Sequence, residues 1–358
     1  MNQWIIRAGN IRPLDQAWRL KAQQRLNEQT RPQGSLGRLE EAITKFVAIQ
    51  KNERPQITKK RILVFASDHG VEQEGVSLYP REVTKAMVMN FLNGGATINA
   101  LARQIDADVK VIDVGVDADF LNHDDLVKAK IGRGTKNFKI EPAMTSEELN
   151  QALVIGWQMA EQAKKDKVDV LIIGEMGIGN TTAASAVIAA CLKVSPDLVT
   201  GRGTGIDEQG LTHKILVIKE SLKKHELYLD NPLSILQHVG GYEIAAMTGV
   251  ILGCAELSLP IVIDGVVVSA AALAAFQINP LILDYMFLGH ESQEKGHRMV
   301  LGELGQEPLL RLSMRLGEAS GAALAVNILD AGICIYNEVA TFAEAQVAGK
   351  KAAESSLR

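Results

Sequence analysis

The sequence predicts an α/β protein built on a parallel sheet flanked by helices, Rossmann-like in its layering. Apolar runs at residues 61–66, 109–114, 168–173 and 261–263 lack the polar alternation of a half-wet sheet, so they read as strands buried on both faces. Segments of helical length and spacing lie between them, the alternation expected of a sheet covered on both sides. Glycines and polar side chains collect immediately after the strands, at the edge where open parallel sheets bind ligands.

The elements follow in order. Residues 14–29 read as a helix after Pro13, a favourable first-turn residue. Residues 35–52 carry Leu36, Leu39, Ile43, Phe46 and Ile49 at helical spacing, and Arg31-Pro32-Gln33-Gly34 separates the two as a loop. The first strand, 61–66, ends at Ser67-Asp68-His69-Gly70. Helices are expected at 80–92 and 96–104, a strand at 109–114, a helix at 146–165 and a strand at 168–173. Helices at 206–223 and 242–257 precede strands at 261–263 and 285–288. Residues 259–276 are apolar with one charge, Asp264, but Pro260 and Gly265 divide them into a strand and a helix rather than a membrane span. The tail, 320–352, returns to helix. The expected organisation is a large α/β domain at 57–325 and a small helical domain built from 1–56 and 326–358.

Composition narrows the class of function. A net charge of −4 without a Lys/Arg cluster interleaved with aromatics argues against nucleic acid as a partner. No long apolar stretch marks the N-terminus as a secretory signal, and no membrane partner is expected, so the reading is cytoplasmic. Cys191, Cys254 and Cys334 are far apart in alanine-rich surroundings, as buried small hydrophobes in a reducing compartment would be.

The stretch Gly174-Glu175-Met176-Gly177-Ile178-Gly179-Asn180-Thr181-Thr182 follows a strand and precedes a helix expected from Ala183. Glycines there let backbone N–H groups approach an anion at the positive end of a helix dipole. No Lys follows the last glycine, so it is not a Walker A loop, and it is not GxGxxG. The spacing suggests a phosphate and leaves the compound open; a tight turn without a ligand is the alternative. A second loop, Gly201-Arg202-Gly203-Thr204-Gly205, precedes the helix at Ile206. Asp68, His69, Asp264 and His290 are of metal-ligating type but lack any local ligand spacing, and a backbone cradle needs no divalent ion, so no metal is expected. Glu318 lies among small and apolar residues. Burial would raise its pKa and suit it as a base; an exposed glutamate at a helix N-terminus, beside Ser320, is the alternative.

Together these segments resemble the nicotinate-nucleotide–dimethylbenzimidazole phosphoribosyltransferases, which build the lower nucleotide loop of cobalamin. The resemblance runs over nearly the whole chain: residues 34–40, 68–71, 82–84, 111–115, 174–182, 240–243, 264–265, 294–296 and 314–323. It implies transfer of the phosphoribosyl group from nicotinate mononucleotide to 5,6-dimethylbenzimidazole, without metal or other cofactor, by a homodimer. It further implies Glu318 as general base, with Glu175 as the second catalytic carboxylate beside the phosphate cradle. The nucleotide and its phosphate would be held by Gly177, Ile178, Gly179, Asn180, Thr181, Gly203, Lys214, Asp264, Gly265 and Ser292, with Arg202 adding charge nearby. The base would meet Asp68, Tyr79, Met87, Leu316 and Glu318. The chain departs from the family pattern at Tyr79, where a small residue is common, and around Met87, where a Gln is common, so other benzimidazoles, adenine or phenolic bases stay open as acceptors.

Overall fold

The computed structural model describes residues 3–347. Among them six strands form one sheet: β1 (Lys60–Ser67), β2 (Ala107–Gly115), β3 (Leu126–Lys128), β4 (Val170–Met176), β5 (Ile261–Ile263) and β6 (Met286–Leu288). The order is β3-β2-β1-β4-β5-β6, and every pairing is parallel. The chain builds outward from β1 to one edge, returns to place β4 against the other side of β1, and builds to the opposite edge. The direction of winding therefore reverses between β1 and β4, the crevice where such sheets bind ligands. β1 and β4 are the buried centre; Val64, Phe65, Ile172 and Ile173 are fully enclosed.

The boundaries around the glycine stretch differ from expectation. β4 continues to Met176, so Gly174 and Glu175 are strand residues, paired with Val64 and Phe65 of β1. The following helix begins at Asn180, not Ala183, which reduces the turn to Gly177-Ile178-Gly179. Pairing to β1 sets the strand's length, and one carboxylate does not end it. β3 was not anticipated. It has only three residues, one of them buried, and a short edge strand with an exposed lysine carries no apolar run. The short helices Gln3–Ala8, Pro196–Val199 and Pro232–Val239, and the helix Lys295–Leu304, also lie outside the expected elements.

The helix Ser146–Lys165 shows why some elements were legible to the residue. Thr145 Oγ1 accepts from Glu148 N–H at 3.2 Å, and Glu148 Oε2 accepts from Thr145 N–H at 2.7 Å, a reciprocal capping box. Glu147 and Glu148 in the first turn, with Lys164 and Lys165 in the last, complement the dipole. This helix packs on Tyr242–Glu256 through a glycine seam. A Cβ at Gly156 would lie 1.8 Å from Ala246 O, and one at Gly249 would lie 2.1 Å from Leu153 O.

The chain divides into two compact units. The larger comprises the residues up to Pro13 together with Thr58–Asn327; the smaller comprises Leu14–Ile57 and the residues from Ile328. Residues 3–13, expected in the helical domain, thus belong with the sheet. Trp4 is buried and donates from Nε1 to Asn150 Oδ1 at 2.9 Å, and Arg7 Nε donates to both oxygens of Glu256 at 3.0 Å. In the smaller unit the helices Gln16–Glu28 and Arg38–Gln50 pack with the end of Ser320–Glu338. Arg31 and Glu40 form a buried ion pair at 2.6 Å, and Gly332 lets Ile43 and Leu39 approach closely. The last helix ends at Glu338, short of the predicted 352; residues 348–358 lie outside the described residues. Ser320–Glu338 is long and apolar enough to cross a membrane by length and composition, and more than half of it is buried within the protein. Cys191 and Cys254 are buried as expected, whereas Cys334 is exposed.

The glycine seam yields a direct expectation. Gly156→Ala has no space for its methyl group against backbone, so the two helices must separate, at a cost of about 1–3 kcal/mol typical of overpacking. Urea unfolding should show that loss; an unchanged midpoint would mean the helices yield freely.

Candidate active site

Loops at the C-terminal ends of β4, β5 and β6 surround a cavity of about 280 Å³. One wall is the end of β4 and the turn that follows, from Glu175 to Thr181. A second is the Gly203-Thr204 loop. Gly265, His290, Ser292 and Glu294 form a third, and Arg315 to Glu318 close the site. Tyr79 and Leu316 stand at the mouth, 51% and 52% exposed.

The turn after β4 is seated by its neighbours. A Cβ at Gly177 would lie 2.2 Å from Ser67 O, and Gly179 holds φ at +95°, a left-handed value that suits glycine. The Ile178 N–H donates to Thr84 Oγ1 at 3.1 Å. Ile178 therefore lines the cavity without offering that N–H to an anion, a correction to the cradle drawn from spacing. Behind the turn, His69 Nε2 sits 2.9 Å from Glu243 Oε1, both side chains fully buried.

The two glycine loops are tied together through Thr181. Lys214 Nζ donates to Thr181 Oγ1 at 2.8 Å, and a Cβ at Gly203 would lie 2.8 Å from that same oxygen. Gly203 N–H donates to Glu294 Oε1 at 3.1 Å. Lys214 does not line the cavity. It lies beneath Thr181, where burial pushes its pKa down to about 8 and the charge of Glu294 opposes that fall. Arg202 turns away, donating to Ile206 O and pairing with Glu208, so it brings no charge to the cavity.

Glu318 is placed by strained backbone. Gly317, Glu318 and Ala319 have φ of 88°, 60° and 70°, successive left-handed residues of which two carry side chains. The turn presses on β4: a Cβ at Gly174 would lie 2.2 Å from Ala319 N and 2.6 Å from Glu318 C. Asp264 Oδ1 then accepts from Ala322 N–H at 2.9 Å, fixing the start of the helix Ser320–Glu338. Glu318 is thus not an exposed helix-end glutamate. It is 8% exposed, lines the cavity and has Oε2 unpartnered. Burial raises its pKa above the ordinary carboxylate value; a hydrogen bond from the Ile98 backbone works against the rise, and Asp264 adds to it.

Glu175 packs against the same turn, its Oε1 2.6 Å from where a Cβ on Gly317 would be, and it accepts a hydrogen bond from Asn180 Nδ2. Burial, then the negative charges of Asp264, Glu243 and Glu318, push its pKa up to about 8. At neutral pH it is mainly a neutral acid.

The structure gathers most of the predicted set: Glu175, Gly177, Ile178, Asn180, Thr181, Gly203, Gly265, Ser292, Tyr79, Leu316 and Glu318 line one cavity. Gly179, Lys214 and Asp264 lie behind its walls. Asp68 does not line it. It is buried at the end of β1, where Oδ2 accepts from Asp117 N–H at 2.7 Å and faces Arg81. Met87, half-buried on the helix Glu82–Leu92, does not line it either. Helical phase turns this methionine away while the loop before it carries Tyr79 to the mouth. Glu294, Thr204, Arg315 and His290 line the cavity and were not in the predicted set. Of these, His290 was visible as a strand-end polar residue and was weighed only as a metal ligand. No group of three or more His, Cys, Asp or Glu among the described residues could hold a metal ion.

Fold and site together define a doubly wound α/β protein with an acidic, glycine-walled cavity at the switch point of its sheet. Residues 11–347 match the model of the DBI_PRT phosphoribosyltransferase family. The chain is 49% identical over 338 residues to the nicotinate-nucleotide–dimethylbenzimidazole phosphoribosyltransferase of Geotalea uraniireducens strain Rf4, covering 94% of this chain and 96% of that one. It is 49% identical over 340 residues to the Chloroflexus aurantiacus protein of the same name, covering 95% and 97%. The crystal structure of the Thermus thermophilus nicotinate-nucleotide–dimethylbenzimidazole phosphoribosyltransferase superposes with a TM-score of 0.89 at 42% identity, covering 94% of this chain and all of that one. The chain belongs to this phosphoribosyltransferase family.

Two measurements follow from the geometry. Because the native state keeps Glu175 protonated while the unfolded chain ionises near 4.5, its stabilising contribution is full below about 4.5 and is lost as pH rises through about 8. Glu175→Gln should flatten the loss of stability across that window; equal slopes for both proteins would refute the raised pKa. Gly174→Ala must displace the Glu318 turn, and misplacement by about 1 Å costs on the order of 100-fold in rate. Transfer activity should fall accordingly while circular dichroism stays native, and undiminished activity would show that the turn adapts.

Proposed function

We propose that the protein transfers the 5-phosphoribosyl group from nicotinate mononucleotide to 5,6-dimethylbenzimidazole, giving α-ribazole 5′-phosphate and nicotinate for cobalamin assembly. The observation that carries this reading is Glu318: a buried carboxylate with an unpartnered oxygen, held by strained backbone in the same cavity as the glycine turn. A protein that only bound the nucleotide would have no use for such a base beside a second substrate.

The donor phosphate is held at Gly177, Gly179, Asn180 and Thr181, at the N-terminus of the helix Asn180–Leu192, with Gly203 on the facing loop. Lys214, beneath Thr181, remains mainly protonated at neutral pH and supplies positive charge behind the cradle. The pyridinium nitrogen becomes neutral as nicotinate departs, so the leaving group needs no acid. One benzimidazole nitrogen attacks the anomeric carbon, and the second ring N–H becomes acidic. Glu318 orients the ring by accepting that hydrogen bond and then takes the proton. Its raised pKa makes it a stronger base than an ordinary carboxylate. Glu175, neutral and bonded to Asn180, holds the end of the cradle and packs the Glu318 turn; its part is positioning.

Tyr79 and Leu316 form the aromatic and aliphatic rim that receives the base. With Met87 outside the cavity, acceptor preference rests on these two residues, and dimethylbenzimidazole fits their apolar character. The protein acts as a homodimer in the cytosol on these small molecules, without a metal or other cofactor.

Nicotinate should appear from nicotinate mononucleotide only when a base is supplied, with dimethylbenzimidazole fastest in a panel followed by mass spectrometry. Release without added base would identify a hydrolase instead. Glu318→Gln should lower kcat/KM by about 10²–10⁴-fold. It should also abolish the acid limb of the pH profile, where wild-type activity rises as the carboxyl ionises. A variant keeping full activity at every pH would remove the base assignment.

A further inference from the structure

His290 lies in the segment after β6 and lines the cavity, yet its side chain is only 2% exposed. Its ring is fixed by packing. A Cβ at Gly321 would lie 2.0 Å from Cδ2, so the ring lies flat on the backbone at the start of the helix Ser320–Glu338. On the other side stands Gly265, where a Cβ would come to 3.7 Å from Nε2, an ordinary contact distance. Nε2 faces Asp264 Oδ1 at 3.5 Å, too far for a good hydrogen bond, and that oxygen accepts from Ala322 N–H. Both ring nitrogens of His290 and Asp264 Oδ2 are left without partners. His297, 6.0 Å away ring to ring, has its pKa pushed to about 4 by burial and is neutral.

Buried polar atoms without partners are costly, and several together at one cavity wall indicate a ligand that satisfies them. The set has a definite character. An imidazole ring carries two nitrogens that bond in the ring plane, at least one of them an N–H donor, and a carboxylate oxygen accepts. A phosphate would be repelled by Asp264 and has the glycine turn as its proposed cradle. Neighbouring hydroxyls, each both donor and acceptor, match them. We propose that His290, backed by Asp264, recognises the ribose hydroxyls of the donor nucleotide and sets selectivity for ribosyl over deoxyribosyl substrates. This rests on the phosphoribosyl-transfer reading and goes further, since it names the group that reads the sugar.

The test compares nicotinate mononucleotide with its 2′-deoxy and 3′-deoxy counterparts, for wild-type protein, His290→Ala and His290→Asn, with dimethylbenzimidazole as acceptor. Wild-type kcat/KM should drop at least about tenfold on one deoxy donor, the scale of one lost hydrogen bond. His290→Ala should lose a similar factor on the ribosyl donor and little on that deoxy donor, so that the ratio collapses towards one. His290→Asn, which keeps a hydrogen-bonding group, should recover part of it. A wild-type protein indifferent to both deletions overturns the proposal, as does a variant that slows all three donors equally. If the wild-type protein releases no nicotinate at all, the transfer reading fails. The same three nucleotides are then compared by calorimetric binding, where equal affinities overturn the role of His290.

Discussion

The site depends on one backbone approach, that of the Gly317–Ala319 turn to β4 at Gly174. With any side chain at Gly174 the turn would have to move, since even a Cβ would sit 2.2 Å from Ala319 N. That approach brings Glu318 and Glu175 to the same cavity although they lie far apart in the sequence. It also sustains the left-handed backbone of Glu318 and Ala319, which costs on the order of 1–3 kcal/mol per residue and persists only where the surroundings over-determine it. The surroundings here are identifiable: β4 on one side, Gly317 against Glu175 on another, and the Asp264 bond to Ala322 N–H at the helix start.

Bringing carboxylates together in a buried place has an electrostatic consequence. Burial and the charges of Asp264, Glu243 and Glu318 all act on Glu175, and Asp264 acts on Glu318. Glu175 resolves the repulsion by holding its proton to about pH 8. Its neutrality removes one negative charge from beside Glu318 and the adjacent turn. Glu243 is matched by His69 at 2.9 Å, and Asp264 by a backbone N–H. Of these four carboxyl groups Glu175 is neutralised, Glu243 faces His69, Asp264 holds a backbone N–H through one oxygen, and Glu318 lines the cavity with an unpartnered oxygen.

Much of this was legible in the sequence, for physical reasons that differ by element. The central strands announce themselves because a parallel strand buried on both faces must be apolar throughout. The helix Ser146–Lys165 was readable end to end because its caps and terminal charges are local signals. β3 was not, because three residues at an edge need no distinctive composition. The reach of β4 through Gly174 and Glu175 was missed because pairing, a long-range property, decides where a strand stops. In the site, glycines and carboxylates at strand ends were readable as a group. The side chains' aim was not: Met87 and Asp68 turn away from the cavity, whereas His290 turns into it. Such orientation is fixed by packing partners far along the chain, Gly321 for His290 and Asp117 for Asp68.

The distribution of roles follows from the sheet. The winding reverses between β1 and β4, so the loops after β4, β5 and β6 open towards one crevice. The glycine turn after β4 leads into the N-terminus of the helix Asn180–Leu192 at the cavity wall, where the positive end of the helix dipole favours an anion. The loop after β6 carries His290 to the cavity, with Asp264 from the end of β5 behind it, and the return to the last helix brings Glu318 there beside β4. A ligand in this cavity would meet a helix N-terminus, the polar atoms of His290 and the Glu318 carboxylate. These three match the phosphate, the ribose and the acceptor of the proposed transfer. Their convergence on one sheet edge, more than any single residue, suits the site to holding a phosphoribosyl group while its base is replaced.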